Sequence, residues 1–146
     1  MKLLNTLKIN NMEDFVTFEI AKKLKEKGFK EPCLCHYVGE DIVYNLESPI
    51  ANNQLWFSHN SYDNIWHRDN IDAPTISQVL KWLRKEKDIY ISIFIDDDSD
   101  TPVTYGIWKD TECVCHHQGE YFALGEWEEC ELIAIEYSLD NLIYIY

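Results

Sequence analysis

The stretch Pro74-Thr75-Ile76-Ser77-Gln78-Val79-Leu80-Lys81-Trp82-Leu83-Arg84-Lys85-Glu86-Lys87-Asp88-Ile89-Tyr90-Ile91-Ser92-Ile93-Phe94-Ile95 holds the change of period on which the fold reading turns. Over its first half Ile76, Val79, Leu80 and Leu83 recur at i, i+3, i+4 and i+7, which lines one face of an α-helix. Thr75 and Gln78 stand at capping-box spacing, so each side chain can reach an otherwise unpaired backbone N–H of the first turn. Pro74, just outside, discourages an earlier start. After Asp88 the period falls to two: Ile89, Ile91, Ile93 and Ile95 alternate with Tyr90, Ser92 and Phe94. A step of two residues returns a side chain to the same face of a strand, so this segment reads as β. Apolar residues on both faces predict a place well inside a sheet.

Working outward, a second strand is expected over residues 103–108, joined to the first by the polar turn 96–102. Upstream, Thr17 is a plausible N-cap and Gly28 a helix stop, enclosing a helix whose inner stripe is Ile20, Ala21 and Leu24. Lys22, Lys23 and Lys25 project elsewhere around the wheel and read as a solvated face. Shorter extended pieces fit residues 33–38, 42–46, 55–58 and 121–124. Residues 126–142 favour a helix through their Glu and Ala content and lack of internal Gly or Pro. That helix carries two apolar stripes, one of Trp127, Cys130, Ile133, Ala134 and Tyr137, the other of Leu132, Ile135, Leu139 and Leu142. One stripe suffices to cover a sheet. The second must meet another helix, the terminal Tyr144-Ile145-Tyr146, or a partner chain, and Leu132, Ile135, Leu139 and Leu142 are therefore the candidate partner surface, with self-association among the outcomes. The expected architecture is a single α+β domain over residues 1–146, about three helices packed on a mostly antiparallel sheet.

Composition narrows the function classes. The chain has 146 residues, 46% hydrophobic and 27% charged, long and apolar enough to bury about two-thirds of its unfolded surface. Its 26 Asp and Glu outnumber 13 Lys and Arg, for a formal charge of −13. Such a surface repels phosphate backbones, so neither direct nucleic-acid binding nor attachment to an anionic membrane is expected. The charge is unevenly placed: residues 96–146 hold 13 acids against Lys109 alone. A short apolar start and no run approaching about 18 apolar residues lead to an expectation of a cytoplasmic protein. An odd count of five cysteines argues against a disulfide framework.

The segments Phe18-Glu19-Ile20-Ala21-Lys22-Lys23-Leu24-Lys25-Glu26-Lys27-Gly28-Phe29 and Ala73-Pro74-Thr75 through Trp82-Leu83-Arg84 resemble a family of small uncharacterised proteins of gut bacteria and their phages. The resemblance covers most of the chain and rests on structural motifs: a helix with its Gly stop, and a capped helix entering a strand. It implies a compact α+β domain and a setting in phages or mobile elements, and it supplies no activity, catalytic residue or cofactor.

Three segments invite chemistry. Cys33-Leu34-Cys35-His36 and Cys113-Val114-Cys115-His116-His117 could supply a four-ligand zinc site. Structural zinc, however, takes paired cysteines two to four residues apart on a tight turn, whereas a one-residue gap in a strand puts both sulfurs on one face. Buried structural thiols are the leading reading, with metal second and a redox or nucleophilic thiol third. The acidic turn lacks the Gly and Glu of a calcium loop, since Thr101 and Ile107 occupy those positions. Trp56, His59, Tyr62, Trp66, His67 and Arg68 form the richest cluster, able to stack a planar ligand and hold a phosphate or carboxylate; the alternative is a hairpin whose aromatics finish the core.

No catalytic constellation emerges. The leading expectation is a nonenzymatic binding protein whose acidic C-terminal third engages a basic protein partner, in keeping with host modulation by a phage or mobile element, and with no cofactor. Sequestration of a nucleotide signal at the aromatic segment is the alternative, and an enzyme of unknown class the third.

Overall fold

A computed structural model describes residues 14–44, 71–116 and 120–144. The fold is α+β; the described residues form three helices and two small, wholly antiparallel three-stranded sheets. The strands expected in one sheet are thus divided. The described residues gather into two compact units, separated between Thr75 and Ile76.

Unit 1 opens with helix α1 (Phe18–Glu26), whose N-cap is Thr17: its hydroxyl accepts a hydrogen bond from the Ile20 N–H at 3.3 Å. Gly28 takes φ +92°, a left-handed conformation that suits glycine beyond a helix end. Ile20, Ala21 and Leu24 are buried, as their spacing predicts. The sheet is ordered β2-β1-β3, from strands β1 (Cys35–Val38), β2 (Asp41–Tyr44) and β3 (Ile71–Asp72), with α1 against β3. Tyr37 ties the unit together: its buried hydroxyl donates to the Val16 carbonyl, and its ring meets Phe18 edge-on at 5.3 Å. Strand β1 begins two residues later than expected and β2 one residue earlier; residues 55–58 lie outside the described residues.

Unit 2 is α2 (Ile76–Lys87), β4 (Ile89–Ile95), β5 (Val103–Lys109), β6 (Glu112–His116) and α3 (Trp127–Asn141). Trp82 is buried beside Ile76, Val79 and Leu83, and Leu80 only half-buried, so the inner face of α2 is rotated slightly from the expected stripe. The sheet order is β4-β5-β6. Among the described residues strand β4 is therefore an edge strand, where an interior one was expected. The interior place belongs to β5, whose residues 103–107 are all buried. Helix α3 covers β4 and β5 and also touches α2. On the opposite face the Trp108 indole lies over Gly106 so closely that a Cβ there would come within 2.8 Å of two ring carbons. Residues 121–124 are not a strand. Phe122 makes one bridge to Val103, and a short 3-10 turn at Leu124–Glu126 leads into α3, where the Ala123 N–H donates to Glu126 Oε1 at 2.9 Å.

Candidate functional site

Helix α3 decides the first candidate surface. Ile135 and Leu139 are 0% exposed, in the core with Cys130, Ala134 and Ser138, while Leu132 and Leu142 are half-buried. The stripe offered as a partner surface is corrected at its centre. A helix laid across β4 and β5 and touching α2 buries a face that spans both predicted stripes, and Ile135 and Leu139 fall inside it. Trp127, Ile133 and Tyr137 of the other stripe are only half-buried.

The aromatic cluster of Trp56, His59, Tyr62, Trp66, His67 and Arg68 lies outside the described residues. The two cysteine pairs belong to different units. Cys33 and Cys35 are both buried in unit 1, as their spacing predicts. Cys113 and Cys115 do not share a face. A β-bulge at Ile107/Trp108 sets Cys115 opposite Ile107 and Cys113 opposite Trp108, and those two β5 neighbours point to opposite sides of the sheet. Cys115 is consequently buried and Cys113 exposed. Burial drives the thiols toward their neutral form: Cys35 is pushed up to about 11 and Cys130 to about 12, both by desolvation. Cys33 rises further, through burial first and then the charges of Asp72, Cys35 and Glu31. These are the properties of packed thiols rather than activated nucleophiles. Among the described residues no group of three or more His, Cys, Asp or Glu side chains is arranged to hold a metal ion.

Unit 2 instead carries two charged poles at opposite ends of the β4/β5 ladder. Ile95 pairs with Val103 at one end and Ile89 with Lys109 at the other, a separation of about 20 Å along the strand. The first pole is acidic. Its loop is closed by the Asp96 N–H donating to the Pro102 carbonyl at 2.7 Å and by the Ser99 N–H donating to Asp97 Oδ1 at 2.8 Å. The bonds from Ser99 hold the Asp97 carboxyl below its ordinary value. Asp98 and Asp100 are exposed on the same loop. Tyr121 donates to Asp96 Oδ2 at 3.3 Å, which brings the segment around Glu120 and Glu126 to this end. Leu124, 60% exposed, lies on the segment that Tyr121 ties to the loop, and Ile95, 61% exposed, immediately precedes Asp96.

The second pole is a cleft of about 360 Å³ where α2 and α3 both end, lined by Lys85, Lys87, Lys109 and Tyr144 together with Glu86 and Asp88. Helix C-termini present unsatisfied carbonyls and partial negative charge. Lys109 answers this directly, donating to the Leu142 carbonyl at 2.6 Å, and α3 has no basic residue of its own in its last turn. Its ammonium also lies 5.9 Å from the Tyr144 ring centre, as Lys87 lies 5.4 Å from that of Trp82. The lysines are thus partly committed to the fold.

The concentration of acids in residues 96–146 was legible in the sequence, and the exposure of Leu124 was not. The lysine pole was missed because Lys109 is 22 and 24 residues from Lys87 and Lys85 in the chain and meets them only through the β4/β5 register. The chain matches no protein-family model, no curated protein and no solved structure. Among the described residues no helix is long and apolar enough to cross a membrane.

Proposed function

We propose that this protein is a nonenzymatic binding protein that presents the acidic pole of unit 2 to a basic protein partner. The observation that carries this reading is the Tyr121 hydrogen bond to Asp96, which ties the segment holding Glu120, the largely exposed Leu124 and Glu126 to the loop of exposed Asp98 and Asp100. An apolar anchor with a charged surround is the anatomy of a protein interface: the anchor supplies affinity, and the charges supply orientation and rate. The family resemblance supports a host-directed role in a phage or mobile element. The odd count of five cysteines, four of them buried, suits a reducing compartment such as the cytoplasm.

Binding of a fluorescent Lys-rich peptide with leucine anchors, followed by anisotropy at two salt concentrations, tests the reading. Binding should weaken with salt and fall at least about tenfold in Asp98→Lys/Asp100→Lys and again in Leu124→Ser. Asp97 is left in place because it organises the loop. Equal binding by wild type and both variants refutes the proposal.

A further inference from the structure

Strand β4 has the composition of an interior strand and the position of an edge strand. It is seven residues long, contains no charge, and has no strand partner on its outer side among the described residues. Tyr90 is 46% exposed, Ile95 61%, and Ser92 is exposed as well. A long apolar edge is a template for pairing with another strand, and chains that must stay monomeric interrupt it with Lys, Pro or a bulge. None of these occurs in Ile89-Tyr90-Ile91-Ser92-Ile93-Phe94-Ile95, whose pairing with β5 is regular throughout. This sequence also reads almost identically in both directions about Ser92.

We propose that two copies of the chain pair antiparallel through β4 about a two-fold axis at Ser92, joining their sheets into one of six strands. In that register Ile89 faces Ile95 of the partner subunit, Ile91 faces the partner's Ile93, and Tyr90 faces the partner's Phe94. Ser92 meets Ser92 of the partner subunit. Isoleucines therefore meet isoleucines on the face that carries α3, and aromatic rings meet on the other, the pairings that most stabilise antiparallel strands. The exposed Ile95 gains a neighbour, and β4 acquires the interior place its composition predicts.

Charge favours a second copy over a foreign strand. Antiparallel pairing brings the end of β4 that holds Lys85, Lys87 and Lys109, three ammonium groups against the carboxylates of Glu86 and Asp88, toward the other copy's acidic loop with its Asp97, Asp98 and Asp100. Two-fold symmetry makes this contact twice. Asp88 opposite Asp96 of the partner subunit is the one like-charge pair in the register. Asp88, with φ +55°, turns out of the strand line at the end of α2.

Sedimentation equilibrium of the full chain from about 1 μM to about 1 mM tests the proposal. The expected result is concentration-dependent association toward twice 17.3 kDa. Ser92→Lys sets two ammonium groups face to face at the axis and should weaken association at least about tenfold, with an unchanged circular dichroism spectrum because Ser92 is exposed. Ser92→Cys should form a disulfide-linked dimer under mild oxidation, whereas Ile95→Cys, remote from its own symmetry mate, should not. A wild-type monomer over the whole range overturns the proposal and leaves the edge to a foreign extended segment. A dimer that survives Ser92→Lys and is not trapped by Ser92→Cys also overturns it, placing self-association on another surface.

Discussion

Truncating Ile135 or Leu139 separates a core helix face from a binding face. Each side chain is 0% exposed, and each loses three carbons on replacement by alanine. At about 0.8 kcal/mol per buried carbon the transfer contribution is roughly 2.4 kcal/mol. A residual cavity of about 50 Å³ adds about 1 kcal/mol, so Ile135→Ala and Leu139→Ala should each cost about 3 to 4 kcal/mol. Leu132→Ala, on the half-buried flank of the same helix, should cost about 1 kcal/mol. Urea unfolding followed by circular dichroism reads the difference. With a slope near 2 kcal/mol per molar, the two core variants should lower the midpoint by about 1.5 to 2 M, and Leu132→Ala by about 0.5 M. The measurement is made at one protein concentration because association would add to apparent stability. If Ile135→Ala and Leu139→Ala cost no more than Leu132→Ala, the placement of that stripe in the core is wrong, and a partner-binding role for it returns.

Three further predictions follow from local geometry and burial. Asp110 and Thr111 form the two-residue turn between β5 and β6 with φ of +52° and +70°, and a β-branched residue is costly there; Thr111→Gly should raise stability by about 1 kcal/mol in the same urea assay, and a loss would refute strain at this turn. Of the five thiols only Cys113 is exposed, so a thiol reagent should label one group rapidly in the native protein and five after denaturation. Because burial raises Cys35 from 9.0 to about 11 and Cys130 from 9.0 to about 12, the stability they contribute should be complete below pH 9 and should decline as pH rises through 11 to 12, visible as a falling urea midpoint.

Features carried by neighbours in the chain were legible in the sequence. The Thr17 cap, the Gly28 stop, the helix-to-strand switch at Asp88 and the helical residues near the C-terminus all depend on propensity and period over a few residues, and all are present. The surfaces were harder. Two apolar stripes on α3 are both compatible with burial, and only the joint packing against β4, β5 and α2 chooses the residues between them. The cysteine pairs show the same divide, since Cys33, just ahead of β1, and Cys35, its first residue, are both buried while one bulge turns Cys113 away from Cys115.

By itself, then, the sequence determined the α+β class, the three helices of the described residues, the alternating strand and the acidic excess toward the C-terminus, because these depend on residue type and short-range spacing. Tertiary structure decided the rest. Strand order made β5 the interior strand and left β4 at an edge, and the pairing of Ile89 with Lys109 gathered lysines from α2 and β5 at the pole opposite the acidic loop. Alternation records that a strand has two apolar faces, but hydrogen bonding at its edges is made by backbone groups that every residue shares, so alternation alone does not say which strand lies beside which within the chain.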